Sequence, residues 1–142
     1  MDERAMIRRL MIAVNRIDGL YERAAARLGA KASLICLFYA LDDGKPHSQK
    51  EISENWLIPR TTLNTIAVEL EKSGDIALEP IAGRRREMNI LLTESGKRRA
   101  RAYLDAIYPA EEQAFAAAGL ESGDVDALEN FCEALKGALH IE

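Results

Sequence analysis

Ser48-Gln49-Lys50-Glu51-Ile52-Ser53-Glu54-Asn55-Trp56-Leu57-Ile58-Pro59-Arg60-Thr61-Thr62-Leu63-Asn64-Thr65 is the stretch that decides how this chain is read. Ser48 is a good N-cap, and Glu51 three residues later completes a capping box, so a short helix opens here. Trp56-Leu57-Ile58-Pro59 makes a turn, and Pro59 suits a first helical turn, where its missing N–H costs nothing. A second helix starts at Arg60 and ends at Glu71-Lys72-Ser73-Gly74. Residues 76–80 and 87–92 read as two short strands around Ile81-Ala82-Gly83-Arg84-Arg85-Arg86, and Leu92-Thr93-Glu94-Ser95-Gly96 starts another helix. The order is that of a winged helix-turn-helix. An α-helix fits the major groove of B-DNA, and a basic hairpin beside it reaches the backbone or the minor groove.

The second helix divides into two faces. Leu63, Ile66, Ala67 and Leu70 share one side at helical spacing and should face the core. The other side carries Thr61, Thr65, Val68 and Lys72, flanked by Thr62 and Asn64. Its N-terminal half is short, polar and, Arg60 apart, uncharged. Such side chains suit base edges: Asn64 an adenine, the threonine methyls and Val68 a thymine methyl, Arg60 a guanine or a phosphate. Ser48 and Gln49 at the start of the first helix, with Arg84, Arg85 and Arg86 in the hairpin, complete the candidate DNA surface. Three adjacent arginines at a turn have no core to serve, and guanidinium suits an electronegative minor groove. The plainer readings are a solvated helix face and a turn kept basic for solubility.

The net charge of −4 is unevenly distributed. Residues 1–31 hold seven Lys/Arg and four Asp/Glu, residues 32–101 hold eleven and ten, and residues 102–142 hold one and nine. A basic patch on an acidic protein attracts phosphate locally. At 142 residues, 48% hydrophobic and 30% charged, the chain is a single globular domain by size and composition. Cys36 and Cys132 have neither metal-ligand spacing nor disulfide-framework density, which favours a reducing, cytoplasmic setting. No targeting segment is recognised, and no apolar run approaches a membrane span. His47 and His140 lack a catalytic or metal-binding set around them, so neither an enzyme nor a bound metal or cofactor is expected.

Helices flank this unit. Over residues 3–28, Ile7, Leu10, Val14, Ile17, Tyr21, Ala24 and Leu28 recur in steps of three and four, the seam of helices packing side by side, and Gly29 stops the helix. Residues 31–43 form an apolar central helix. A long helix runs from Thr93 to about Tyr108, where Pro109 forces a kink or restart. Gly119 and Ser122-Gly123 mark a break before a last helix over 124–139, with Val125, Leu128, Phe131, Cys132, Leu135 and Leu139 on one side. The first and last helices are read as a dimer layer, contacts being Ile7, Leu10, Val14, Ile17, Phe131 and Leu135. Packing of the first seam within its own chain is the alternative. The expected fold is mainly α with a small two- or three-stranded β-wing. Residues 31–99 form the DNA-binding lobe, with dimerisation helices over 1–30 and 100–142 of a single domain.

On these residues the chain resembles the MarR family of bacterial transcription regulators over nearly its full length. The resemblance is carried by Gln49-Lys50-Glu51-Ile52, Arg60-Thr61-Thr62-Leu63-Asn64-Thr65, Leu70-Glu71-Lys72-Ser73-Gly74 and Leu92-Thr93-Glu94-Ser95-Gly96. Trp56-x-x-Pro59 is similar to one subgroup. Counting back from Leu92-Thr93, Arg86 matches the wing arginine that such proteins place in the minor groove. Two departures stand out: Arg84 and Arg85 occupy the stretch where aspartates often orient that arginine, and Thr65 stands at a position often basic. The resemblance implies a homodimer on a palindromic site with half-sites roughly 10 bp apart, acting most often as a repressor. It also implies, for many members, release by a small aromatic or phenolic effector, for which Tyr21 and Tyr39 are candidate pocket walls; core packing is their simpler role. Some members sense oxidants through a cysteine near the N-terminus, but residues 1–35 contain none and Cys36 lies in an apolar helix. A winged helix that binds protein instead of DNA is the other class; the three wing arginines argue against it.

Overall fold

A computed structural model describes residues 2–142, the side chain of Arg85 excepted. Six helices and a three-stranded antiparallel sheet follow in the order α1 (Glu3–Arg27), α2 (Ala32–Leu41), β1 (His47–Ser48), α3 (Gln49–Trp56), α4 (Arg60–Lys72), β2 (Ile76–Ile81), β3 (Arg84–Leu92), α5 (Glu94–Ala117) and α6 (Ser122–Ala138). The chain forms two compact units, Met1–Asp105 and Ala106–Glu142.

The core of the first unit is built from one face of each element. Phe38, Leu37 and Leu41 of α2, Ile52 of α3, Leu63 and Leu70 of α4, Ile90 of β3 and Leu104 of α5 are fully buried. Each such side chain contributes about 1.5–3 kcal/mol by leaving water. Leu63, Ile66, Ala67 and Leu70 are all buried, so the helical spacing had located the inner face of α4 correctly. Central α2 is apolar nearly all round because helices, the sheet and α5 enclose it.

The sheet has the order β1-β3-β2. His47 and Ser48 pair with Ile90 and Asn89 and form a short edge strand against the wing, which the sequence did not announce. The hairpin turn is also tighter than the sequence suggested. Only Ala82 and Gly83 lie outside the strands, Gly83 at φ 79°, and Ile81 already pairs with Arg84. The arginines therefore lie on strand β3 and not at the tip. Pro80 pairs with Met88, so residues 85–87 are extra on β3 and bulge from the ladder.

Four helix boundaries differ in detail from expectation. Ser48 Oγ accepts from Glu51 N–H at 3.1 Å, but the Glu51 carboxylate turns to His47 in place of closing the capping box. Pro59 stands just outside α4 as its N-cap, with its carbonyl accepting from Leu63 N–H at 2.9 Å. Pro109 lies inside α5, which continues to Ala117, so the helix does not restart there. In the second unit α6 begins at Ser122, because the Asp124 carboxylate caps the Glu121 N–H at 2.8 Å and makes Ser122-Gly123 the first turn.

Two helices carry apolar faces that stay in solvent. On α1, Val14, Ile17, Leu20 and Tyr21 are exposed and Ile7 and Leu10 half-buried, leaving Ala25 as its one buried residue. On α6, Val125, Leu128 and Leu135 are exposed and Phe131 is half-buried, with no residue fully buried. Among the described residues no single helix is long and apolar enough to cross a membrane.

Candidate nucleic-acid interface

The outer face of α4 presents Arg60, Thr61, Asn64, Thr65, Val68 and Lys72 to solvent, with Thr62 half-buried at its flank. The Thr65 hydroxyl donates to the Thr61 carbonyl at 3.0 Å, which commits its proton to the helix. Thr65 is left with a methyl and acceptor lone pairs. The Asn64 side chain makes no hydrogen bond within the described residues and keeps both amide functions available. That combination, a bidentate donor–acceptor beside methyl groups, is the chemistry that distinguishes A·T pairs in a major groove.

Local bonds fix the turn that holds α4. Leu57 ends α3 in the left-handed region at φ 51°, and the Ser53 hydroxyl donates to the Ile58 carbonyl at 2.7 Å. Ile58 is buried, while Trp56 packs on Tyr39 with ring centroids 5.2 Å apart. Ser48 and Gln49 are half-buried at the start of α3. The Ser48 oxygen is used as a cap, so its hydroxyl proton is what remains to be donated.

On the wing, Arg84 Nη1 donates to Glu87 Oε2 at 2.8 Å, and both groups face solvent. Arg86 is exposed and unpaired within the described residues; the side chain of Arg85, also assigned to this surface, lies outside them. The Arg84 hydrogen bond and charge hold the Glu87 carboxyl below its ordinary range, and the charges of Lys50 and Arg60 add to this. Glu87 thus lies in the combined field of the wing, of α3 and of the N-terminus of α4. Arg60 and Arg84, assigned from the sequence to one surface, both lower the Glu87 carboxyl, Arg84 by direct contact and Arg60 by its charge. Lys50 and Glu87 belong to that surface and were missed, because nothing in their local pattern sets them apart from other exposed charges.

No family model and no curated protein matches the sequence. Solved structures match the fold. NMB1585, a MarR family regulator from Neisseria meningitidis, is 21% identical with a TM-score of 0.75, covering 99% of this chain and 95% of that one. The fold is the MarR fold. AbfR of Staphylococcus epidermidis shares it at 20% identity and a TM-score of 0.68, covering 97% of this chain and 96% of that one. The overoxidized AbfR bound to DNA matches at 20% identity and a TM-score of 0.59, with 96% of each chain covered. NadR in complex with 4-hydroxyphenylacetate is 16% identical with a TM-score of 0.61, covering 89% of this chain and 88% of that one. On the wing, Glu87 pairs with Arg84, whereas Arg86, matched by the resemblance to the wing arginine, has no such partner among the described residues.

The remaining reactive groups are otherwise engaged. Burial pushes the Cys36 thiol up, with Asp18 adding to the rise, which disfavours the nucleophilic thiolate. Cys132 is free and, like Val125, Leu128 and Leu135 of the same helix α6, exposed. No group of His, Cys, Asp and Glu among the described residues is arranged to hold a metal ion. His47, Asp43 and Glu51 do cluster, but the two carboxylates take opposite ring nitrogens: Asp43 Oδ2 lies 2.8 Å from Nε2 and Glu51 Oε1 3.0 Å from Nδ1. With each ring nitrogen occupied by a carboxylate, the arrangement is a clamp on the imidazole and not an open ligand set.

Proposed function

We propose that this chain is a sequence-specific DNA-binding transcription regulator that acts as a homodimer. The observation that carries the reading is the exposed, polar outer face of α4, headed by Arg60, together with the charges of Lys50, Arg60 and Arg84 acting on one carboxylate, Glu87. The arrangement supplies the two things a duplex reader needs, base-edge chemistry on a helix and cations flanking it for phosphate. The DNA-bound state of AbfR, which shares the fold, supports the same assignment.

Homodimerisation is supported by the apolar faces of α1 and α6, each unburied within a single chain. A hydrophobic seam of that length on a soluble protein marks an interaction surface. Two copies would present two α4 helices to half-sites about one turn of DNA apart, roughly 10 bp. We further propose repression as the mode of action and a small aromatic acid or phenol as effector class, the latter by analogy with the 4-hydroxyphenylacetate held by NadR. An effector works by preferring a conformation whose α4 helices are misplaced for DNA. We read the chain as a non-enzymatic, cytoplasmic protein. The Cys36 environment weighs against cysteine-based redox sensing.

Selection of bound fragments from the source organism's genomic DNA tests the reading. Enrichment of an inverted repeat, bound with an affinity that falls steeply with salt, is the expected result. Absence of any enriched duplex from the purified dimer would overturn it.

A further inference from the structure

Asp75 follows the recognition helix α4 and is the one charged residue buried among those described, at 7% exposure. Five hydrogen bonds meet on it. Its N–H donates to the Leu70 carbonyl at 2.9 Å, tying it to the last turn of α4, and its carbonyl accepts from Thr93 N–H at 3.1 Å, where β3 ends and α5 begins. Its carboxylate accepts from Ser73 Oγ at 2.8 Å, from Ser95 Oγ at 2.9 Å and from Arg99 Nη1 at 2.9 Å. Strand β2 starts at the next residue, Ile76. The end of the recognition helix, both roots of the wing and the first turns of α5 therefore converge on one side chain and its peptide groups.

Neighbouring contacts make this joint stiff. Thr93 Oγ1 donates to the Gly74 carbonyl at 2.6 Å, and Ser95 Oγ, whose one proton is shared between Asp75 and this carbonyl, lies 3.0 Å from it. A Cβ built on Gly96 would lie 1.8 Å from the Asp75 carbonyl oxygen, so the α5 backbone touches the joint directly. The Arg99 guanidinium lies 5.8 Å from the Phe38 ring centroid, which anchors it to the core residue of α2. A buried carboxylate with three donors is stable only while all three stay in place, since a lost donor leaves a desolvated charge.

The geometry gives this joint leverage on the DNA-facing end. Helix α4 has 13 residues, so Arg60 is about 20 Å from the joint at 1.5 Å per residue. A tilt of about 10° there moves the N-terminal turn by about 3 Å, well beyond the few tenths of an ångström that a base-edge hydrogen bond tolerates. The same tilt moves the wing, because both its roots share the joint.

We propose that Asp75 is the positioning residue that holds the recognition helix and the wing at one angle on α5, so that discrimination between DNA sequences depends on it; this rests on the DNA-binding reading above. Full-length wild type, Asp75→Ala and the milder Ser95→Ala are to be compared on the enriched duplex and on a scrambled duplex of equal length. Binding is measured at a temperature where circular dichroism shows each protein folded. Asp75→Ala should lose about ten-fold or more in affinity for the enriched duplex, the equivalent of one base contact, and about two-fold or less for the scrambled one. Ser95→Ala, which leaves the Ser73 and Arg99 bonds, should fall between the two. A role in stability alone would lower the melting temperature and leave the ratio of the two affinities unchanged in the folded variants, and that result would overturn the inference. If Asp75→Ala does not fold, Ser95→Ala decides by the same ratio. A wild type that shows no preference for any duplex overturns the DNA-binding reading itself, and this inference with it.

Discussion

Glu87 accepts a hydrogen bond from Arg84 Nη1 at 2.8 Å, so the wing neutralises one of its own cations before any phosphate arrives. Lys50 and Arg60 act on the same carboxylate through space. Removing that charge frees a guanidinium and relieves phosphate of a repulsive neighbour. Glu87→Gln is expected to raise affinity for any duplex several-fold. It should also steepen the slope of log affinity against log salt by about 0.9, the equivalent of one further phosphate contact. Titration of one labelled duplex at several salt concentrations gives both numbers, and an unchanged slope would mean that Arg84 stays out of the interface.

Arg86 and Asn64 should separate into two kinds of contact. Arg86→Ala removes an exposed, unpaired cation of the wing and is expected to weaken all duplexes alike, reducing the salt slope by about 0.9. Asn64→Ala removes the free amide on α4 and is expected to cost about 1–3 kcal/mol of discrimination at one base pair, with the salt slope unaltered. Equal binding of Asn64→Ala to the enriched site and its single-base variants, in the wild-type ratio, would remove Asn64 from the reading set.

His47 carries a pH dependence whose sign follows from its clamp. Burial alone lowers an imidazole, but the hydrogen bonds and charges of Asp43 and Glu51 outweigh it and hold His47 above its ordinary 6.5. A group raised in the folded state stabilises fully below its unfolded value and loses that contribution as pH rises through the folded one. Asp43 has the opposite dependence: burial would raise it, yet the Lys45 N–H and His47 hold it low, so its share is lost only as pH falls below the ordinary 3.8. Melting temperatures of wild type and His47→Gln should accordingly differ most near pH 6 and converge toward about pH 8 to 9. A gap that stays constant across that range would show that the imidazole does not titrate in the clamp.

Gly96 is demanded by space alone, since its φ is not in the left-handed region and a methyl would collide with the Asp75 carbonyl at 1.8 Å. Backbone cannot swing aside as a flexible side chain does. Gly96→Ala is expected to cost about 1–3 kcal/mol at least, lowering the melting temperature by roughly 5 °C or more. Gly137→Ala, where no atom lies within 4 Å of the added carbon, is the control and should be neutral or slightly stabilising.

How far the sequence could be read depended on whether its signals were local. The inner face of α4, the Ser48 cap and the Gly74 stop were legible because spacing and capping act within a few residues. The edge strand at His47 was not, since two residues carry no period and the pairing to Ile90 spans the whole helix-turn-helix. The arginines were placed one turn too far out for the same reason: the two-residue turn at Ala82-Gly83 and the bulge over 85–87 are properties of strand register. Pro109 announced a kink or restart; the restart does not occur, because α5 runs through it to Ala117.

By itself, the sequence determined that a two-faced helix would sit between a capped helix and a basic hairpin, because helical period, caps and charge are all written in neighbouring residues. Only the tertiary structure decided that Glu87 would share a field with Lys50, Arg60 and Arg84, and that Ser73, Ser95 and Arg99 would close on Asp75. Those groups lie up to 37 residues apart in the first cluster and 26 in the second. Electrostatic fields and hydrogen bonds act through space, so no local pattern announces them until folding brings the chain together.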